Sequence, residues 1–292
     1  MTTDPYHLKE IISNNNINEL INLHKSGINI HNIYYFEYTI IYACLVGSLD
    51  CIKYLHKNGS SLNHLNNNGN STLMLACIKG QLDCVKYLYE SGIDINHINH
   101  EGETALIIAA EYGHVNCIEY LHKNGADIDY LYNENNALII ATKNARVNCI
   151  EYLHKIGIDI NCLNNYGETP LIIASQSGYL DCVKYLHKNG ADMNCLDNYG
   201  NNCLMRACLN GHVNCVEYIH QNGFDINMVN NAGNTALMSA ILYKRTDCAK
   251  YLIKNYADTN IVNNFDENIC ELSEDEEIIK LIEETKTSYI LK

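Results

Sequence analysis

Apolar and polar positions along this chain follow a pattern that returns at a fixed interval. The segment Ser71 to Cys77 places apolar side chains at i, i+3 and i+4, the spacing of a short helix. Gly80 breaks it. A second run, Leu82 to Tyr89, sets Leu82, Val85 and Leu88 on one face and polar groups on the other, which predicts an amphipathic helix. Gly92 suits the left-handed position that ends a helix. Asp94-Ile95-Asn96-His97-Ile98-Asn99 then leads through turn formers to Gly102, predicting a hairpin-like finger. One unit is therefore helix, turn, helix, finger.

The unit recurs. Cysteines stand at 51, 84, 117, 149, 182, 215 and 248, every gap being 33 except the 32 between Cys117 and Cys149. Three residues after each comes a tyrosine and eight before each an alanine, from Tyr54 and Ala43 to Tyr251 and Ala240. Eight after, a glycine follows six times, from Gly59 to Gly223, with Tyr256 in the seventh place. Self-similarity at this period indicates a stacked-repeat architecture, because no unit can bury its apolar face alone. The alanine column suits close approach of neighbouring helices. Ser71, Thr104, Thr169 and Thr235 are predicted N-caps, and Pro170 fits the first helical turn.

These residues resemble the ankyrin repeat. Glu168-Thr169-Pro170-Leu171 is similar to that family's TPLH entry sequence, and Gly190-Ala191-Asp192-Met193-Asn194 and Gly125-Ala126-Asp127-Ile128-Asp129 to its GADVN exit. The resemblance implies an all-α solenoid of about seven full repeats, each helix-turn-helix plus finger. Their approximate bounds are 34–66, 67–99, 100–132, 133–164, 165–197, 198–230 and 231–263, with degenerate capping repeats at 1–33 and 264–292. The dialect Asp181 to Asp192, DCVKYLHKNGAD, resembles ankyrin proteins of giant amoeba-infecting viruses of the mimivirus type. Abundant Asn, Ile, Lys and Tyr, with arginine at 146, 206 and 245 alone, suit the same AT-rich origin.

Departures from the family pattern are local. The TPLH histidine is replaced by residues such as Met74, Ile107 and Ile172, so other contacts must brace the turn. The finger containing Asn133 and Glu134 is one residue short and lacks its tip glycine. Ala145 and Lys244 replace the glycine between helices, which is expected to strain or lengthen those turns. At the C-terminal end, Ser273 is the expected N-cap of a last helix, Ile278 to Glu284. Residues 264–292 hold nine acids against three lysines, a polar outer face for the end of a stack.

Composition narrows the function. The net charge of −14 and the lack of a basic stripe oppose nucleic-acid and membrane-surface binding. The opening residues MTTDPYHLKE lack a secretory signal pattern and no apolar run is long enough to span a bilayer, so a soluble, intracellular monomer in a host cytoplasm is expected. The fourteen cysteines then read as small core residues. Neighbours in the cysteine ladder lie too far apart to bridge, whereas Cys44/Cys51 and Cys77/Cys84 sit on two helices of one unit and could meet. Cys-x4-His turns through about 140° on a helix, so cysteine and histidine cannot face one ion, and metal buffering is the weakest reading. The recurring histidines His24, His56, His122, His154, His187 and His220 are expected to cover helix ends. No GxSxG, Walker or kinase motif occurs, so no catalytic residue, cofactor or enzymatic activity is expected.

The family resemblance places binding on fingertips and the exposed side of first helices. The variable positions there are His100, Glu101, Glu103, Asn133, Glu134, Tyr166, Glu168 and Tyr199 at the fingers, and Glu111, Tyr112 and Gln176 on first helices. Tyr112, Tyr166 and Tyr199 are aromatic in mostly polar columns, and Glu101, Glu103, Glu111 and Glu168 suggest an acidic rim for a protein partner with basic and apolar groups. The alternative is a substrate for modification. In the family, finger asparagines are hydroxylated, and Asn63, Asn96, Asn161, Asn194 and Asn227 occupy the matching column.

Overall fold

The computed structural model describes residues 5–34, 37–273 and 275–290. Its first helices are Thr39–Val46, Thr72–Ile78, Ala105–Tyr112, Ala137–Lys143, Pro170–Gln176, Cys203–Asn210 and Ala236–Leu242. The second helices are Leu49–Lys57, Leu82–Glu90, Val115–Lys123, Val147–Lys155, Leu180–Lys188, Val213–Gln221 and Thr246–Lys254. A helix pair precedes them (Pro5–Ser13, Ile17–Lys25) and another follows (Ile269–Leu272, Glu276–Ile290). The chain forms two compact units, Met1–Tyr152 and Leu153–Lys292. Strand among the described residues is confined to one antiparallel pair, Asn32–Tyr34 with Glu37–Tyr38, in the first finger. The other fingers are turns.

Within each unit the first helices form the interior. Leu73 to Cys77 are buried all round, as are Leu106 to Ala110 in the next repeat. A helix apolar on every side must be covered on every side, and only stacked neighbours achieve that. The alanine column is fully buried, Ala76 and Ala109 in the first unit and Ala174 and Ala207 in the second, where a larger side chain would push neighbouring helices apart. Second helices bury one stripe. In Leu180–Lys188 these residues are Cys182, Val183 and Leu186, and the remaining side is polar.

Hydroxyls and amides start the first helices. Ser71, Thr104, Thr169 and Thr235 accept from the backbone N–H three residues on, at 3.2–3.3 Å. Asn136 and Asn202 do the same at 2.9 Å. Each satisfies a donor the helix itself leaves unpaired. Ala145 and Lys244 take up the left-handed conformation of the glycines they replace, with φ of 57° and 55°. These turns keep their length and carry the strain.

The shortened finger closes as a two-residue hairpin. Tyr132 and Asn135 exchange both backbone hydrogen bonds at 2.9 Å, and Asn133 and Glu134 between them have φ of 46° and 63°. Two consecutive positive φ values define a type I′ turn, which favours Asn-Gly. Glutamate is poorly suited to the second place. Glu134→Gly is expected to raise stability by about 0.5–1 kcal/mol in urea denaturation, strain relief outweighing the freer unfolded chain. A loss of stability would contradict the turn type.

The last helix corrects the expectation at Ser273. That residue ends the preceding helix, its N–H donating to Ile269 O. Asp275 starts the next one, its Oδ1 accepting from the N–H groups of Glu277 at 3.0 Å and Ile278 at 3.4 Å. A carboxylate next to the helix start gains from both the open donors and the dipole, so the cap falls two residues later than expected and the helix begins at Glu276.

Candidate interaction surface

Most fingers curl round one Asn or Asp side chain. Asn99 Oδ1 accepts from the N–H groups of Glu101 and Glu103 at 3.0 and 2.8 Å, curling the backbone round it. Asn164, Asp197, Asn230 and Asn263 act alike in the second unit. This Asx turn fixes the curl of the finger. Adjacent fingers of the second unit are stapled by an asparagine ladder, in which Asn198, Asn231 and Asn264 Nδ2 each donate to the backbone oxygen 33 residues earlier, at 2.8–3.2 Å. The chain's asparagine richness has this structural use.

In the first unit, Glu101, Glu103 and Glu111 come together as an acidic group. Burial and the neighbouring Glu103 push the Glu111 carboxyl above its ordinary range, Arg146 opposes the shift, and Glu101 adds to it. Arg146 Nε also donates to Glu111 O at 2.9 Å. Tyr112 is 46% exposed beside a shallow depression of about 280 Å³ that Gly113, Ala145 and Arg146 also line. His100 is exposed in the finger before Glu101. Its ring covers Gly69 in the preceding finger and its N–H donates to Asn68 O at 3.0 Å. Asn133 and Glu134 stand exposed at the tip of the short finger.

In the second unit, Tyr166 and Tyr199 are 62% and 63% exposed in the same register of adjacent fingers. Asn198 N–H donates to Tyr166 O at 2.9 Å and holds those fingers together. Glu168 accepts from Asn164 Nδ2 at 2.9 Å and lies 3.7 Å from the Arg206 guanidinium. Gln176 is half-buried, and its Oε1 has no hydrogen-bond partner among the described residues.

Arg206 is the residue that sequence reasoning missed. Its Nε donates to Asp197 Oδ2 at 2.6 Å, a second guanidinium nitrogen contacts the same oxygen, and its planar head lies 5.9 Å from the centre of the Tyr199 ring. The Asp197 side chain is fully buried and that of Arg206 nearly so. A signal was present in the columns. Arg206 stands where other repeats have Leu75, Ile108, Ile140, Ile173 and Ser239, and Asp197 where most have asparagine. The two exceptions fall in one finger-and-helix junction, and each accounts for the other.

The histidines do not cover helix ends as expected. Their Nδ1 atoms share hydrogen bonds with the tyrosine hydroxyls of the next repeat, as in His24/Tyr54 and His56/Tyr87 in the first unit and His187/Tyr218 and His220/Tyr251 in the second, at 2.8–3.0 Å. The rings meet edge to face. A ring at the helix end reaches a neighbouring helix more readily than its own carbonyls, so two columns of the repeat are one inter-repeat contact. Cysteines also approach one another between repeats. The neighbouring Cys117 and burial push the Cys77 thiol well above its ordinary range, and burial and the neighbouring Cys248 do the same to Cys208. Burial pushes the Cys51 thiol up to about 12, and Cys84 and Cys182 to about 11, which leaves little thiolate for chemistry at neutral pH. Among the described residues, no three His, Cys, Asp or Glu side chains converge on a metal position.

Three of the finger asparagines that match the modified column are engaged. Asn96, Asn161 and Asn227 Oδ1 each accept from an aspartate N–H in the next repeat, at 2.8–2.9 Å.

Helix pairs stacked through small residues, with projecting fingers that carry exposed aromatics, define a repeat-scaffold protein. A family model described as ankyrin repeats in three copies matches residues 8–99, 40–132, 96–164, 128–197 and 171–263, and the chain belongs to the ankyrin-repeat family. It is similar to the human ASB11 ankyrin repeat domain, at 25% identity and a TM-score of 0.68, over 75% of this chain and 98% of that one. A comparison with curated proteins returns no match. Ankyrin repeats are generally protein–protein interaction scaffolds and typically non-enzymatic. No described helix is long and apolar enough to cross a membrane.

Proposed function

We propose that the chain is a non-enzymatic, monomeric interaction scaffold that binds a protein through its fingers and first-helix surfaces. The observation that carries this reading is the pair Tyr166 and Tyr199, exposed side by side at stapled fingertips, with Arg206 and Asp197 fixing the base beneath Tyr199. Rigid aromatic side chains on a preorganised base are the groups that supply most binding energy at interfaces. Tyr112, with Glu111 and Arg146, is a second such place on the first unit. The acidic fingers disfavour nucleic acid. The sequence dialect and AT-rich residue preferences support a role as a viral adaptor engaging host or viral proteins in the host cytoplasm. Changing Tyr112, Tyr166 and Tyr199 together to serine is expected to remove partners from an affinity capture in host cells. An unchanged partner set would overturn this assignment of the surface.

A further inference from the structure

The second unit carries a row of side chains for which the stack itself has no use. Leu163, Leu196, Val229 and Val262 recur one per finger, immediately before the Asx residue that curls it, and are 45–60% exposed. The asparagine ladder fixes neighbouring fingers in register, so these four side chains form a line along the unit. Scattered exposed leucines need no explanation, but an aliphatic column held exposed in every finger does.

The surroundings of the row are acidic. Its four fingers, residues 158–168, 191–201, 224–234 and 257–267, contain eight carboxylates and no lysine, arginine or histidine. Arg206, from the helix beneath, answers Asp197 and Glu168 alone. Asp159, Asp192, Asp225 and Asp258 form an exposed acidic line four residues before the aliphatic one. A second copy of this chain would bring like charge against like, so the row is unsuited to self-association.

Spacing selects the shape of the partner. Packed helices of neighbouring repeats lie about 8–10 Å apart, so the row presents an apolar contact at about that interval over roughly 24–30 Å. An α-helix rises about 10.5 Å per heptad, and about 20 residues span 30 Å. A β-strand repeats a face every 6.8 Å or so, out of step with the row. We propose that the finger row Leu163–Leu196–Val229–Val262 receives an amphipathic basic helix, its apolar stripe on the aliphatic line and its lysines or arginines toward the aspartates. This rests on the scaffold reading and names the partner's chemistry.

The test uses the full chain and a synthetic 20-residue peptide with leucines at heptad positions a and d and lysines along one flank. Calorimetric titration is expected to show binding that weakens with salt and falls about tenfold or more in L196N/V229N. Those two side chains are exposed, so the variant should keep its thermal midpoint. Binding by the native chain that is absent, or equal for a scrambled peptide of the same composition, would overturn the proposal, since charge alone would then suffice. So would unchanged affinity in the folded variant. If the peptide fails while the tyrosine variant still loses captured partners, the helix is wrong and the scaffold reading stands.

Discussion

Arg206→Leu is expected to cost about 3–5 kcal/mol of stability, although an aliphatic side chain is what most other repeats have at that place. The cost comes from Asp197. Its side chain is fully buried, and without the guanidinium its charge would keep only the N–H groups of Tyr199 and Asn201 and the Asn201 amide. Stranding a buried charge is worse than never having had the pair. Combining it with Asp197→Asn recreates the junction of the other repeats and is expected to return stability to within about 1 kcal/mol of the native chain. Urea midpoints of the two single variants and the double one measure the coupling. Additive losses would show that the pair acts independently. The double variant also separates roles: stability should recover, but Tyr199 loses the guanidinium beside its ring.

Gly200→Ala is expected to cost about 2–4 kcal/mol, against about 1–2 kcal/mol for Gly223→Ala. Both glycines have positive φ, 76° and 87°, so the backbone penalty is shared. What differs is the neighbour. A Cβ at Gly223 meets nothing within 4 Å, whereas at Gly200 it would stand 2.7 Å from the backbone nitrogen of Asn231. To admit it, the next finger must move away, giving up the Asn231 N–H bond to Tyr199 O at 3.1 Å and the Asn231 amide bond to Asn198 O at 3.2 Å. Thermal or urea unfolding compares the two directly. Equal losses would mean that finger stapling contributes nothing beyond local strain.

Much of the architecture is legible in the chain because its cause is local and repeated. The period of Cys51, Cys84 and their successors, the apolar spacing of Ser71 to Cys77, and the caps at Thr104 and Thr169 all follow from helix geometry and from donors that a helix start leaves open. Where sequence reasoning erred, a second element decided. Asp275 displaced Ser273 as a cap because Ser273 closes the preceding short helix, its N–H donating to Ile269 O. His187 looked like a helix-end cover until the tyrosine of the next repeat was placed beside it.

The candidate surface divides in the same way. That Tyr112, Tyr166 and Tyr199 are exposed could be read from their polar columns. That His100 packs on Gly69, that Glu168 is tied to Arg206, and that Leu163, Leu196, Val229 and Val262 remain uncovered could not. The sequence by itself determined the repeat unit, its helices and the order in which they stack, since each depends on spacing along one segment. Tertiary structure decided which column partners which. Those contacts join residues about a full repeat apart, and their geometry exists only once neighbouring units have packed.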